Sequence, residues 1–321
     1  MSRIAGPSIR TSATLCMGVM AALFMPFAAA APVDWSAVPE KAVVLFYPGQ
    51  ASWEWALTER DHSGGPRFRE GRNCAACHEG EEADIGAKIA SGEILEPNPV
   101  AGKPGSVEVI VQTARDADNL HFRFRWKAPA PTGHKDDPEF QARITVLLGD
   151  EKVREAARAG CWGACHDDVM GMASAPADTR ITKYLGTSRA RMTRQGGGEN
   201  FKPDADLATL LNDGVFLEYW QAKLNPDAPA TPSSGYVLDK RHKHTEVKAS
   251  AEAAFENGTW TVTLSRPLAG NGDGRKTLVP GTTYAIGFAL HEDFSDHRHH
   301  YVSLEQSFAL EGEADFVARS P

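Results

Sequence analysis

Apolar and polar positions alternate through most of the chain beyond residue 105. Val107, Val109 and Val111 share one face, and Asp116-Ala-Asp-Asn119 reads as a turn. Leu120, Phe122, Phe124 and Trp126 then return opposite His121, Arg123 and Arg125. Period two on both sides of a tight turn predicts a β-hairpin. Arg143–Leu148 predicts another strand, and Glu246–Phe255 with Thr259–Leu268 flank Asn257-Gly258, a pair suited to a two-residue hairpin turn. Thr282–Leu290 and Tyr301–Leu310 complete a second group of strands. In the first of these, Tyr284, Ile286, Phe288 and Leu290 face one way, and Ala285, Gly287, Ala289 and His291 the other. In the second, His300 has the parity of Val302, Leu304, Phe308 and Leu310, so it is expected to point inward.

Between the two strand groups, Thr187 to Gly235 is rich in Gly, Pro and Asp, with short helices expected at Ala205–Leu211 and Phe216–Leu224. Ahead of the first group, Ser52–Arg60 reads as one helix, and Pro97, Pro99 and Pro104 mark a boundary. The expected fold is mainly β: a β-sandwich over residues 101–321 with helical and loop insertions, preceded by a small N-terminal segment over 31–100.

The first thirty residues have a different texture. Arg3 and Arg10 precede an apolar run from Leu15 to Ala31, and Ala28 and Ala30 form an A-x-A site. That is the pattern of a cleaved secretory signal, and the run is short for a membrane span. Leu15 before Cys16 does not suit a lipobox. An uncleaved anchor helix is the alternative. Of the 34 Lys+Arg, cleavage removes Arg3 and Arg10, leaving 32 against 42 Asp+Glu and a net charge near −10. Such a surface is a poor match for nucleic acid and a good one for a basic patch on another protein.

Four of the five cysteines lie beyond the signal, and each pair is followed at once by histidine. Cys74-Ala-Ala-Cys77-His78 is the c-type haem attachment signature. Two thiols reach the two vinyl groups of one porphyrin, and the adjacent imidazole meets the iron. Cys161-Trp-Gly-Ala-Cys165-His166 repeats the arrangement with three intervening residues, and Gly163 allows the longer loop to bulge. Two covalent haems c are expected. Disulfides, a thioredoxin-like pair, non-covalent haem on His166 and a zinc site are the competing readings.

A low-spin electron-transfer haem needs a second axial ligand, usually His or Met. His62, in the turn-rich Asp61-His62-Ser-Gly-Gly-Pro66, can fold back over the first haem. His300 is the leading candidate at the second, with His291 at the end of a small-residue strand face as another. Met170 and Met172 are thioether alternatives. His242 and His244 in a basic cluster read as a solvated turn, and His121 with its two arginines as a wet sheet face.

The order of several stretches resembles the haem-binding domain shared by ethylbenzene dehydrogenase gamma-type subunits and related c-type cytochromes. They include Asn119-Leu-His-Phe-Arg-Phe-Arg-Trp126, Gly160-Cys-Trp-Gly-Ala-Cys-His-Asp-Asp168, Glu218-Tyr-Trp-Gln-Ala222 and His299-His-Tyr-Val-Ser-Leu304. The resemblance spans roughly residues 105–310 and leaves the first motif outside. It implies a haem-holding β-sandwich that relays electrons, often beside a molybdenum enzyme of the dimethyl sulfoxide reductase type. In the gamma subunits the haem is non-covalent with Met and Lys ligands; Cys161, Cys165 and His166 depart from that. The leading expectation is a periplasmic dihaem electron carrier between a membrane quinol-oxidising cytochrome and a periplasmic oxidoreductase, for which the resemblance implies a molybdenum enzyme. A haem enzyme with one open coordination position, a peroxidase or oxyanion reductase, is the alternative.

Overall fold

A computed structural model describes residues 1–2, 33–51, 53–166, 183–192, 200–270 and 272–320, the side chains of Glu54 and Cys165 excepted. The Arg3–Ala31 signal pattern, Met170 and Met172 lie outside the described residues. Among the described residues, fifteen strands run β1 (Lys41–Phe46), β2 (Ser106–Arg115), β3 (Asn119–Lys127), β4 (Ala142–Gly149), β5 (Cys165–His166), β6 (Lys183–Tyr184), β7 (Leu217–Leu224) and β8 (Thr231–Val237). They continue as β9 (Arg241–Lys243), β10 (Ser250–Glu256), β11 (Thr259–Pro267), β12 (Thr283–His291), β13 (Tyr301–Val302), β14 (Gln306–Ala309) and β15 (Phe316–Val317). The helices are α1 (Trp53–Ala56), α2 (Gly65–Arg69), α3 (Ala75–His78), α4 (Glu82–Ala90), α5 (Arg154–Ala159) and α6 (Asp204–Asn212).

The fold is a mainly antiparallel β-sandwich. One layer runs β10-β11-β3-β2-β1 and the other β12-β4-β7-β8-β9, with short β13 pairing to both β1 and β12. Leu120, Phe122, Phe124 and Trp126 of β3 meet Ile144, Val146 and Leu148 of β4, Trp220 of β7 and Ile286 and Phe288 of β12 in one core. The Asn257-Gly258 turn has positive φ at both residues, 52° and 76°, as a two-residue hairpin turn requires. β1 pairs along its whole length with β2, so the boundary expected near residue 100 falls between two paired strands; residues 33–321 form one compact unit.

Three local expectations change. The helix expected over Ser52–Arg60 is a single turn, α1. Phe216–Leu224, expected as helix, is the central strand β7, paired with β4 and β8. Both of its faces are covered: Trp220, Ala222 and Leu224 enter the sandwich core, while Leu217 and Tyr219 join a second cluster on the outer side. A strand buried on both faces shows no clean alternation. The third change is in Tyr301–Leu310, which breaks at residues 303–305. There the Ser303 hydroxyl accepts from Phe288 N–H at 2.9 Å in place of a ladder carbonyl. Val302 and Leu304 therefore face the outer cluster, and Phe308 and Leu310 the sandwich core.

Glu292 sits at the end of the core, 2 % exposed, accepting a hydrogen bond from Trp126 Nε1–H. Burial, ahead of every other influence, pushes its carboxyl up to about 7. The folded state thus binds this proton more tightly than the unfolded chain. The resulting stability is complete below pH 4.5 and is lost as pH rises through 7, by up to about 3 kcal/mol. Denaturant midpoints of Glu292→Gln are expected to fall less between pH 5 and pH 8 than those of the parent; equal falls would remove Glu292 as the cause.

Candidate haem sites

Both Cys/His motifs lie on the outer side of the β12-β4-β7 layer, where a second apolar cluster gathers Trp53, Phe68, Cys74, Leu147, Ala156, Cys161, Leu217, Ala289 and Leu304. At the first, Asn73 Oδ1 accepts from Ala76 N–H at 3.0 Å and the chain winds into α3, with His78 N–H donating to the Cys74 carbonyl at 2.9 Å. One helical turn puts Cys74 and His78 on the same face. Cys74, Cys77 and His78 all line a cavity of about 560 Å³ whose walls include Phe68, Ile85, Leu95 and Leu304.

His62 lines the same cavity, its ring centre 6.1 Å from that of His78. Two imidazoles that ligate one metal at about 2 Å each place their ring centres roughly 6 Å apart. The hydrogen bonds also suit ligation. His62 Nδ1–H donates to the Ala56 carbonyl at 2.9 Å, and His78 Nδ1 lies 3.1 Å from Glu81 Oε2. A carbonyl or carboxylate accepts, so each Nδ1 carries a proton, and the tautomer that this selects in a neutral ring has its lone pair on Nε2. Arg67 and Arg72 line this cavity too, and guanidinium groups pair with carboxylates such as propionates.

At the second motif, a 3-10 turn over Gly160–Gly163 leads into β5, which pairs with β6 in the register Cys165 opposite Tyr184 and His166 opposite Lys183. The loop lies close on β12. A Cβ on Gly287 would sit 2.5 Å from Cys161 N, and one on Gly163 2.5 Å from the Glu155 carbonyl. The small face Ala285-Gly287-Ala289 thus seats the attachment loop's backbone. Gly287→Val is expected to push the loop outward and reduce covalent haem at the second motif alone, read by the mass of the denatured protein; unchanged mass would contradict this.

His300 is 5 % exposed, and its ring centre lies 5.8 Å from that of His166. The pair repeats the spacing of the first site. His300 Nδ1–H donates to the His297 carbonyl at 2.7 Å, again freeing Nε2. His291 stacks on His300 at 4.7 Å and gives its Nε2–H to the same carbonyl at 3.2 Å. Of the two, His300 is the ring set opposite His166. Burial first, then nearby cations, holds His166 well below the ordinary imidazole value, and burial does the same for His291 and His300. They are neutral, the form that ligates.

Sequence reading passed over the support beneath His300. His297 adopts φ 52°, a left-handed conformation that aims its carbonyl at both rings. Its N–H donates to Asp296 Oδ1 at 2.8 Å, and Arg143 of β4 holds the same oxygen at 2.9 Å. A rigid chain therefore runs from β4 to the candidate ligand. In the sequence, Arg143 is one more strand residue and Asp296 one more loop acid; only their long-range contact marks them. Next to this loop, Asp136 bridges His134 and His299.

The two motifs are linked through α5 and Glu305. Cys74 N–H donates to the Arg158 carbonyl at 2.9 Å and Ala75 N–H to Glu305 Oε1 at 2.9 Å, while Glu305 backbone would meet a Cβ on Gly160 at 3.0 Å. Cys74, Cys77 and Cys161 form no disulfide. Burial raises the Cys161 thiol to about 11, so it is no thiolate nucleophile. Among the described residues, the one donor group compact enough to share a metal ion is His134, Asp136 and His299, which includes neither motif. His121 bonds Ser265 and Asp116, and His242 stacks on Tyr236 at 4.5 Å.

The sequence model of the ethylbenzene dehydrogenase family matches residues 200–303, which include β7 to β12 and His300. Cytochrome c-552 of Stutzerimonas stutzeri is 38 % identical over 295 residues, covering 90 % of this chain and 91 % of that one. Cytochrome c-551 of Rhodocyclus tenuis is 29 % identical over 281 residues, covering 87 % and 95 %. With that identity over nearly the whole length, and an ethylbenzene dehydrogenase region in its C-terminal half, the chain belongs to the cytochrome c-552 family.

Proposed function

We propose that this member of a c-type cytochrome family carries two haems, attached through Cys74/Cys77 and Cys161/Cys165, and moves electrons in the periplasm. His78 with His62, and His166 with His300, are the axial pairs. The observation that carries this reading is the repeated opposition of two imidazoles about 6 Å apart, with Nδ1 of His62, His78 and His300 each committed to an acceptor. A bound haem supplies one-electron iron chemistry. The protein's part is to hold each iron between rigidly oriented rings, screen it with apolar walls and set its potential through burial and second-sphere hydrogen bonds.

An iron held between His62 and His78, or between His166 and His300, would have no coordination position left for a small substrate, which favours a carrier over a peroxidase or oxyanion reductase. The Arg3 to Ala31 pattern supports export, and no helix among the described residues is long and apolar enough to cross a membrane. A net charge near −10 after signal removal suits docking to basic patches on a quinol-oxidising cytochrome and on a periplasmic, molybdenum-type oxidoreductase, with rates that fall as salt rises.

The test is expression with c-type maturation, followed by the mass of the denatured protein and the low-temperature spectrum of the native one. A mass increment of two haems with purely low-spin, six-coordinate bands is expected. A single haem would remove the second attachment, and a high-spin band would return the enzyme reading to first place.

A further inference from the structure

Trp162 belongs to the second attachment motif, yet its indole lines the cavity of the first site alongside Cys77 and His78. The same residue lines a small cavity bordered by Cys161, His166 and His300. It is therefore the side chain shared by the walls of both sites. We propose that Trp162 is the contact through which the two haems exchange electrons, an inference that rests on the two-haem reading above.

Several observations support a relay rather than ordinary packing. Trp162 follows Cys161 directly in the chain, so the route from the second haem's thioether to the indole is covalent. From the indole to the first haem's cavity the route is van der Waals contact. The ring is held on two sides: Nε1–H donates to the Ala51 carbonyl at 3.1 Å, and Phe46 packs against it edge-on with centres 5.8 Å apart at 85°. Cys74 and Ala75 donate hydrogen bonds to the Arg158 carbonyl and to Glu305, which fix the first motif beside the helix that leads into the second. The role also accounts for the longer spacing of the second motif: its three-residue loop includes a side chain that reaches the neighbouring site.

The step itself is simple. One electron leaves the ferrous iron held by one imidazole pair, which becomes ferric, and arrives at the ferric iron of the other, which becomes ferrous. No bond or proton moves. Replacing the indole with a short aliphatic chain opens a void, and a void forfeits the contacts on which such a route depends.

The experiment uses the full dihaem protein and its Trp162→Phe and Trp162→Leu variants. Denatured mass and low-temperature spectra first establish that each carries two low-spin haems; a parent with one haem would sink the dihaem reading itself. A flash-generated one-electron reductant then loads a single electron, and re-equilibration between the haems is followed optically. A slower phase in Trp162→Leu, with most of the rate kept in Trp162→Phe, is expected. A second readout is the Soret circular dichroism of the haem at Cys74, expected to change although the substitution lies in the other motif. If Trp162→Leu does not load both haems, Trp162→Met, closer in volume, replaces it. Parent-like rates and dichroism in fully loaded variants would overturn the role of Trp162 and leave the dihaem assignment standing.

Discussion

His300→Ala is expected to turn one of the two haems from six-coordinate low-spin to five-coordinate high-spin while both remain covalently attached. In the proposed arrangement the cysteines, not the distal imidazole, bind the porphyrin, so the denatured mass is expected to stay that of two haems. The native spectrum loses low-spin intensity from one site only, and that site gains reactivity towards small ligands such as carbon monoxide. His62→Ala is expected to do the same at the first site. The control is His291→Ala: its ring stacks on His300 but is not the one set opposite His166, so both haems are expected to stay low-spin. A low-spin His300→Ala beside a high-spin His291→Ala would exchange the two assignments. Weakening the support has a milder form. Arg143→Ala leaves Asp296 and the left-handed His297 less fixed, and removing such second-sphere partners typically costs about 10–100-fold in ligand affinity or activity.

The largest effect on stability is expected from Phe122→Ala. Phe122 is fully buried, and its ring contacts those of Phe124, Trp220, Phe288, Phe308 and Phe316 at centre distances between 5.8 and 6.5 Å. These neighbours come from both layers, so the ring ties the sandwich together. Truncating a buried phenylalanine to alanine costs about 3–5 kcal/mol, a large share of the 5–15 kcal/mol of a typical domain. The check is the denaturant midpoint of the holoprotein at unchanged slope. A loss below about 1 kcal/mol would mean the void collapses, or that covalent haem rather than the sandwich core limits stability.

The strand pattern was legible because it is local, and the proposed attachment chemistry is local in the same way. Alternation in Leu120–Trp126 and Tyr284–Leu290 states which face is apolar, and Asn257-Gly258 states where a hairpin turns. Cys74, Cys77 and His78 need only one helical turn to reach one porphyrin, so their spacing alone announces the ligand.

The same local logic failed where burial removed the signal. Phe216–Leu224 is covered on both faces, so a central strand looked helical. For His300, parity within Tyr301–Leu310 correctly predicted burial but named the wrong layer, because the Ser303 hydroxyl breaks the ladder and turns the chain over.

By itself, the sequence determined the class of fold and placed the two Cys/His motifs on which the proposed haem attachment rests. The tertiary structure alone decided which rings stand opposite His78 and His166, that Arg143 and Asp296 brace one of those rings, and that Trp162 of one motif borders the other site. Attachment is set by neighbours in the chain, whereas axial pairing and contact between the sites are set by residues that only the packing of two sheet layers brings together.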